Sequence, residues 1–225
     1  MRKYVIIVAG GKGLRMGSEI PKQFILVAGR PLLMRTLDTF LAYDPDLSIL
    51  LALPREQMEY WASLCEKYAV DYASRVTVVE GGATRFHSVK NALDRVPEKE
   101  ESLVAVHDGV RPFVSEKTIS TAFDEAALSG CAIPVADAVD SIREVTEGGS
   151  IVRDRSKIKL VQTPQVFRSS LLKEAYHQDY CDAFTDDASV VEAAGFKVVL
   201  TAGNRENIKI TTPFDLKVAE ALVKL

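Results

Sequence analysis

The run Ala9-Gly10-Gly11-Lys12-Gly13-Leu14-Arg15-Met16-Gly17, with Pro21-Lys22-Gln23 close behind it, has the residue types that handle phosphates. Glycine lets the backbone approach a phosphate and aim N–H groups at it, while Lys12, Arg15 and Lys22 supply positive charge. Two familiar phosphate loops are excluded. A dinucleotide-binding Gly-x-Gly-x-x-Gly beginning at Gly11 needs glycine where Met16 stands, and a Walker loop needs Ser or Thr where Gly13 follows Lys12. By itself the segment reads equally well as a surface loop carrying solvated cations.

Other segments point the same way. In Val106-His107-Asp108-Gly109-Val110-Arg111-Pro112 the aspartate follows an apolar run. A carboxylate beside a phosphate site suits a bridging divalent cation or a sugar hydroxyl; the plainer reading is a turn aspartate before glycine. Gly81-Gly82-Ala83-Thr84-Arg85-Phe86-His87-Ser88 offers a backbone-rich corner that could read a base edge, or could be a simple turn. Arg153, Arg155, Lys157 and Lys159 recur at every second position, so a β-conformation would put all four on one side. That arrangement suits either a guarded sheet edge or a patch for a phosphorylated substrate. Lys209 sits among apolar neighbours in Asn207-Ile208-Lys209-Ile210, a strand-like run. His107 belongs to its strand, and His87 and His177 lack the spacing partners of a metal site.

These segments need a scaffold that brings them together. Short apolar runs alternate with helical patterns, the signature of an α/β fold with a doubly wound, mostly parallel sheet. Strands are expected at Tyr4–Ala9, Leu47–Leu53, Val76–Val79, Leu103–His107, Gly130–Val135 and Lys197–Thr201. Helices are expected from Pro31, over Arg55–Ala69, near 84–95 and 115–128, after a Thr185 cap and ending at Gly195, and from Thr212-Pro213. From about Ala136 to Val161 the rhythm breaks. Ser141–Thr146 and Ile151–Asp154 flank Gly148-Gly149 as a protruding β-hairpin. An isolated hairpin is marginally stable in water, so it should pack on something, and a second subunit is the natural partner.

The net charge of −3 argues against nucleic-acid binding. Yet residues 1–30 hold Arg2, Lys3, Lys12, Arg15, Lys22 and Arg30 against Glu19 alone, a local basic patch suited to a small polyanion. Cys65, Cys131 and Cys181 are scattered, as in a reduced cytoplasmic protein. The apolar run after Arg2-Lys3 is too short for a signal peptide, and no run approaches the roughly 18 residues of a membrane span.

In order along nearly the whole chain, a set of motifs resembles the 2-C-methyl-D-erythritol 4-phosphate cytidylyltransferases. They are the glycine loop with Arg15, Pro21-Lys22-Gln23, Gly81-Gly82, His107-Asp108, Gln162-Thr163-Pro164-Gln165, Thr185-Asp186-Asp187-Ala188-Ser189 and Asn207-Ile208-Lys209. The resemblance implies a single Rossmann-like nucleotidyltransferase domain over 1–225, with 136–161 as a dimerisation arm. It implies CTP along Ala9, Gly10, Gly11, Gly13 and Lys22, with its base near Ala9, Gly82, Ala83 and Ser88, and Asp108 also at the nucleotide. A phosphate of the acceptor polyol would attack the α-phosphorus and expel pyrophosphate. Arg15 and Lys22 would stabilise the transition state, and Arg155 and Lys209 would hold the attacking phosphate. Asp108, Arg111, Ser141, Thr163 and Thr185 would line the acceptor site. Mg²⁺ would organise the triphosphate, held by its phosphates or with Asp108 as a protein ligand. The active species would be a homodimer in which Arg155 serves the neighbour's site.

Two positions depart from the family pattern. Ala83 stands where some relatives carry a hydrogen-bonding side chain, and Asp137-Ala138-Val139-Asp140-Ser141 stands where a threonine is usual, leaving Ser141 for that role. Ribitol-5-phosphate cytidylyltransferases share the first half of the pattern, and His107–Phe113 leans towards them; Asp154-Arg155 and Thr185–Ser189 lean away. Sugar-1-phosphate and molybdopterin nucleotidyltransferases share only the glycine loop. A non-catalytic nucleotide-binding module would have no need of Arg15, Lys22, Asp108 and Lys209 together.

Overall fold

The computed structural model describes residues 1–11, 20–72 and 74–224. Its first strand, β1 (Arg2–Val8), carries Tyr4-Val5-Ile6-Ile7, all buried. Because side chains alternate across a strand, Val5 and Ile7 feed one apolar layer while Tyr4 and Ile6 feed the other. The ribbon of β2 (Leu26–Val27) and β3 (Arg30–Pro31) leads into helix α1 (Leu32–Tyr43). Pro31 is the cap of this helix rather than its first residue. Strand β4 (Ser48–Leu53), helix α2 (Arg55–Lys67), strand β5 (Val76–Glu80), helix α3 (Arg85–Leu93), strand β6 (Ser102–Asp108) and helix α4 (Glu116–Ser129) follow.

Leu33, Leu37 and Phe40 of α1, Trp61 of α2 and Phe123 of α4 cover the Val5 face of the sheet. Phe86, Val89 and Leu93 of α3 cover the Tyr4 face. Leu37 is fully buried, so Leu37→Ala would cost about 2–5 kcal/mol through lost transfer energy and an unfilled cavity.

After α4 the chain turns at Gly130, whose φ of +95° is a conformation glycine adopts without strain, and enters β7 (Cys131–Asp137). The arm is a hairpin of β8 (Ile142–Thr146) and β9 (Gly149–Arg153), as the Gly-Gly turn predicts. Beyond it come β10 (Lys159–Val161), β11 (Gln165–Arg168), α5 (Ser169–Ala175), α6 (Asp187–Ala193), β12 (Leu200–Ala202) and α7 (Pro213–Leu222). The eight-stranded sheet runs β10-β7-β11-β6-β1-β4-β5, with β12 on β7. β6, β1, β4 and β5 are parallel, and β11 runs antiparallel between β6 and β7. The doubly wound, mostly parallel sheet expected from the sequence is therefore present.

Several local expectations need correction. Arg155–Lys157 form a turn of 3₁₀-helix, so Arg153, Arg155, Lys157 and Lys159 do not share one strand face. The cap of α6 is Asp186, not Thr185; its carboxylate accepts the Ser189 N–H and the Ser189 hydroxyl answers on the Asp186 backbone. Asn207–Thr212 is an extended connection outside any strand, tied to the core by Ile210 N–H donating to the Val110 carbonyl. Lys197–Thr201 contributes a strand only from Leu200.

Candidate active site

The chain passes from β1 to β4 and β5 on one side, then returns to place β6 on the other side of β1. Such a reversal opens a crevice beyond the carboxyl ends of the strands. Val8 and Asp108 lie in register at the last positions of β1 and β6. A cleft forms there, lined by Ala9, Gly10 and Gly11 after β1, Gly82, Ala83 and Ser88 after β5, Asp108 at the end of β6, and Lys22 and Lys209.

The glycines explain how close the walls can come. A Cβ on Gly11 would lie 2.9 Å from Cε of Lys22, so this lysine passes directly over the loop backbone. A Cβ on Gly82 would lie 2.3 Å from Cβ of His87, which only glycine avoids. Ser88 braces this turn: its hydroxyl accepts from Gly82 N–H at 3.1 Å and donates to the Thr84 carbonyl at 2.9 Å. Ala9 is braced from below, where the buried Gln23 amide donates to its carbonyl at 2.7 Å. Gly13 and Arg15, expected here, lie outside the described residues.

A second cleft adjoins the first and shares Arg85, Asp108 and Lys209 with it. Arg111, Thr163 and Thr185 line its remainder. Asp108, 7% exposed, is ringed by cations: Lys209 Nζ at 2.9 Å, Arg111 Nε at 3.3 Å and Arg85 Nε at 3.6 Å. Burial alone would push the Asp108 carboxyl up; Arg85, then Lys209 and Arg111, reverse that and hold it well below the usual carboxylate range. Its N–H donates to the Thr163 hydroxyl at 3.1 Å, and that hydroxyl is 3.0 Å from His107 Nδ1. Both contacts keep the Thr163 hydroxyl inside the protein, where it fixes Asp108. Burial pushes His107 down to about 4, so its ring is neutral near pH 7. Nε2 donates to the Arg111 carbonyl at 2.9 Å, leaving Nδ1 to accept from Thr163.

Asp108 is a poor ligand for a metal. A divalent cation would have to displace the ammonium and guanidinium groups already neutralising it. Among the described residues no cluster of His, Cys, Asp and Glu could hold an ion. The described protein donors in this cleft therefore do not by themselves fit a resident magnesium, Asp108 being an anion clamped by three cations.

Arg155 and Ser141 do not reach either cleft of their own chain. Both lie on the exposed arm, where the Arg155 guanidinium donates to the Val139 carbonyl. Lys22, Asp108, Arg111, Thr163, Thr185 and Lys209, by contrast, converge on one edge of the sheet.

The sequence model of the 2-C-methyl-D-erythritol 4-phosphate cytidylyltransferase family matches residues 3–225. The chain belongs to this family. Proteins of that name from Phocaeicola vulgatus and Bacteroides fragilis are 58% and 55% identical to it, each alignment covering 99% of this chain and 100% of the relative. The crystal structure of the Thermus thermophilus protein of that name superposes with a TM-score of 0.79 at 34% identity, covering both chains completely. That of the Francisella tularensis protein superposes at 0.81 and 32% identity, again over the whole of both chains. The protein is thus a nucleotidyltransferase, specifically a cytidylyltransferase. No helix among its described residues is long and apolar enough to cross a membrane.

Three residues of this cytidylyltransferase site escape sequence reasoning. Arg85 stands inside the Gly81–Ser88 motif but looks there like any solvated helix-start cation. Its partner Asp187 is 102 positions away, and Tyr176 contacts that same aspartate from the cap at the end of α5, a helix with no motif of its own. Only the doubled acidic run Asp186-Asp187, unusual in a segment that folds into the core, hints that one carboxylate has a buried cation.

Proposed function

We propose that this enzyme transfers a cytidylyl group from CTP to 2-C-methyl-D-erythritol 4-phosphate, releasing pyrophosphate, in non-mevalonate isoprenoid precursor synthesis. The observation that carries the reading is the meeting of Lys22, Asp108 and Lys209 in one cleft where the glycine-rich ends of β1 and β5 converge. The names of the relatives agree with it.

The nucleotide occupies the first cleft, with its base against the Gly82-Ala83 backbone that Ser88 braces. The acceptor occupies the second, with its polar groups towards Arg111 and Thr185, while Thr163 serves from behind by fixing Asp108. Its phosphate lies at the shared wall beside Lys209. An oxygen of that phosphate attacks the α-phosphorus, the bond from the α-phosphorus to the bridging oxygen breaks, and pyrophosphate leaves with that oxygen. A phosphate monoester is largely ionised near neutral pH, so no general base is needed. Catalysis reduces to holding two anions together and stabilising the charge that builds between them. Lys22 supplies that stabilisation from the glycine-loop side, together with Arg15. Magnesium would be held by the nucleotide's own phosphates and would supply charge neutralisation there.

The arm makes the active species a homodimer. Val145, Ile151 and Val152 are exposed apolar side chains on β8 and β9, and they call for a covering surface. Arg155 and Ser141, remote from their own clefts, then serve the neighbouring site. A cytoplasmic location accompanies the reading, supported by the free thiols of Cys65, Cys131 and Cys181.

Pyrophosphate release with each of four nucleoside triphosphates against methylerythritol phosphate and ribitol 5-phosphate tests the assignment. Release with CTP and methylerythritol phosphate is expected to exceed every other pairing. A preference for ribitol 5-phosphate, or for another base, would overturn it.

A further inference from the structure

Arg85 is the first residue of α3, directly after the turn that receives the base, and Asp187 is the first residue of α6, directly after the Thr185-Asp186 corner of the acceptor cleft. The two form a fork: Nη1 lies 3.0 Å from Oδ1 and Nη2 lies 2.7 Å from Oδ2. Asp187 is fully buried, and the Tyr176 hydroxyl donates to its Oδ1 at 2.6 Å. Phe86 stacks on Tyr176 with ring centroids 4.6 Å apart, so the next residue of α3 anchors the same corner. From the other side Gln165 ties α6 to the sheet, donating to Asp186 at 2.8 Å and accepting from Ala188 N–H at 2.8 Å.

A guanidinium held by two parallel bonds has a fixed orientation, which an ammonium cannot reproduce. Its remaining edge, Nε, faces Asp108 Oδ1 at 3.6 Å. Arg85 therefore joins three parts of the site: the turn after β5, the start of α6, and the carboxylate that Lys209 and Arg111 also hold. Asp187 and Asp108 compensate the charge of this partly buried guanidinium.

We propose that Arg85, locked by Asp187 and Tyr176, is a positioning residue that sets Asp108 and the Thr185 corner for the acceptor, and through Asp108 the Lys209 ammonium beside the acceptor's phosphate. The proposal rests on the functional reading above. In it the Asp187–Arg85–Asp108 relay acts through Asp108 on the acceptor, not on the nucleotide, whose base lies against main-chain groups.

Steady-state kinetics on R85K, D187N and Y176F, each checked by thermal melting, test this. R85K keeps the charge and loses the fork; D187N keeps the shape and loses the ion pair; Y176F removes one hydroxyl and leaves the pair intact. The KM for methylerythritol phosphate is expected to rise roughly 10- to 100-fold in R85K and D187N, as displaced positioning groups typically cause, and a few-fold in Y176F. The KM for CTP is expected to stay near wild type in all three. Parallel rises in both KM values would assign Arg85 a merely structural role, and an unchanged acceptor KM in a folded variant would overturn the proposal outright. If the charge variants do not fold, Y176F decides by the same split. Absence of wild-type turnover with this substrate pair would instead overturn the functional reading, and the proposal with it.

Discussion

Asp108 and Glu144 are both carboxylates paired with arginine, but they sit in opposite surroundings. Asp108 is nearly buried at the carboxyl edge of the sheet and ringed by Arg85, Arg111 and Lys209. Glu144 lies half exposed on the arm against Arg153, and neighbouring Asp137 pairs with Lys159 at the arm's base. Water screens the arm pairs, so each contributes at most about 1 kcal/mol. In the cleft little water competes, and every charge must be matched by another protein charge or by a substrate. The cleft's charges are held by one another; the arm is left with exposed valines and an arginine whose own clefts lie elsewhere. One region matches its charges inside the protein, and the other presents charged and apolar side chains to solvent.

The sharpest way to break this contrast is Lys22→Ala. Loss of one well-placed donor to a developing charge typically costs roughly 10²–10³ in turnover, and kcat is expected to fall by that order with an unchanged melting temperature. Turnover within a few-fold of wild type would remove Lys22 from the reaction. Asp108→Asn should come next, raising the acceptor KM roughly 10- to 100-fold, since three cations lose the anion that orients them. A selective effect on CTP instead would move Asp108 to the nucleotide's side.

The arm is probed by a double substitution, V145E with V152E, measured by light scattering and turnover. A folded, monomeric protein with most activity lost is expected; full activity in a monomer would show that the neighbour supplies nothing to the site. The smallest effect concerns Glu101, whose carboxylate caps the start of α5 by accepting from Ser169 Oγ at 2.6 Å and from Ser170 N–H at 3.1 Å. Burial pushes this carboxyl up, but the serine bonds outweigh it and hold it down at about 2. A group depressed on folding adds stability above its unfolded value, near 4.3, and loses it as pH falls towards 2. It is largely exposed, so the contribution is screened to below about 1 kcal/mol. Melting curves of wild type and Glu101→Gln should therefore converge between pH 5 and 2, and a constant offset would refute the linkage.

What sequence reading found follows from the same contrast. β1, β4 and β6 are buried along most of their length on both faces, so each announces itself as a continuous apolar run, while β5 at the sheet edge buries only Val76 and Val79 and shows a shorter signal; the glycines and aspartate at their ends come with them. β10, β11 and β12 are short and mixed, and their pairing is set by neighbours distant in sequence, which no local pattern records. Lys22, Asp108 and Lys209 were legible because they punctuate motifs. The Arg85–Asp187 fork was not, since neither residue's type or spacing reveals a partner 102 positions away. The cap of α6 was misplaced by one residue because Thr185 and Asp186 are both good caps, and only tertiary ties such as Gln165 to Asp186 choose between them.

The central proposal is one phosphorus atom approached by Lys22, from the 3₁₀ turn Lys22–Phe24 beside the glycine loop, and by Lys209, from the connection before α7. Comparing kcat/KM for wild type, K22A, K209A and the double variant K22A/K209A tests it most directly, because groups acting in one transition state are not independent. A double-variant loss clearly smaller than the product of the two single losses is expected; losses that multiply in full would show that the two lysines act independently and would contradict their joint action on one transition state.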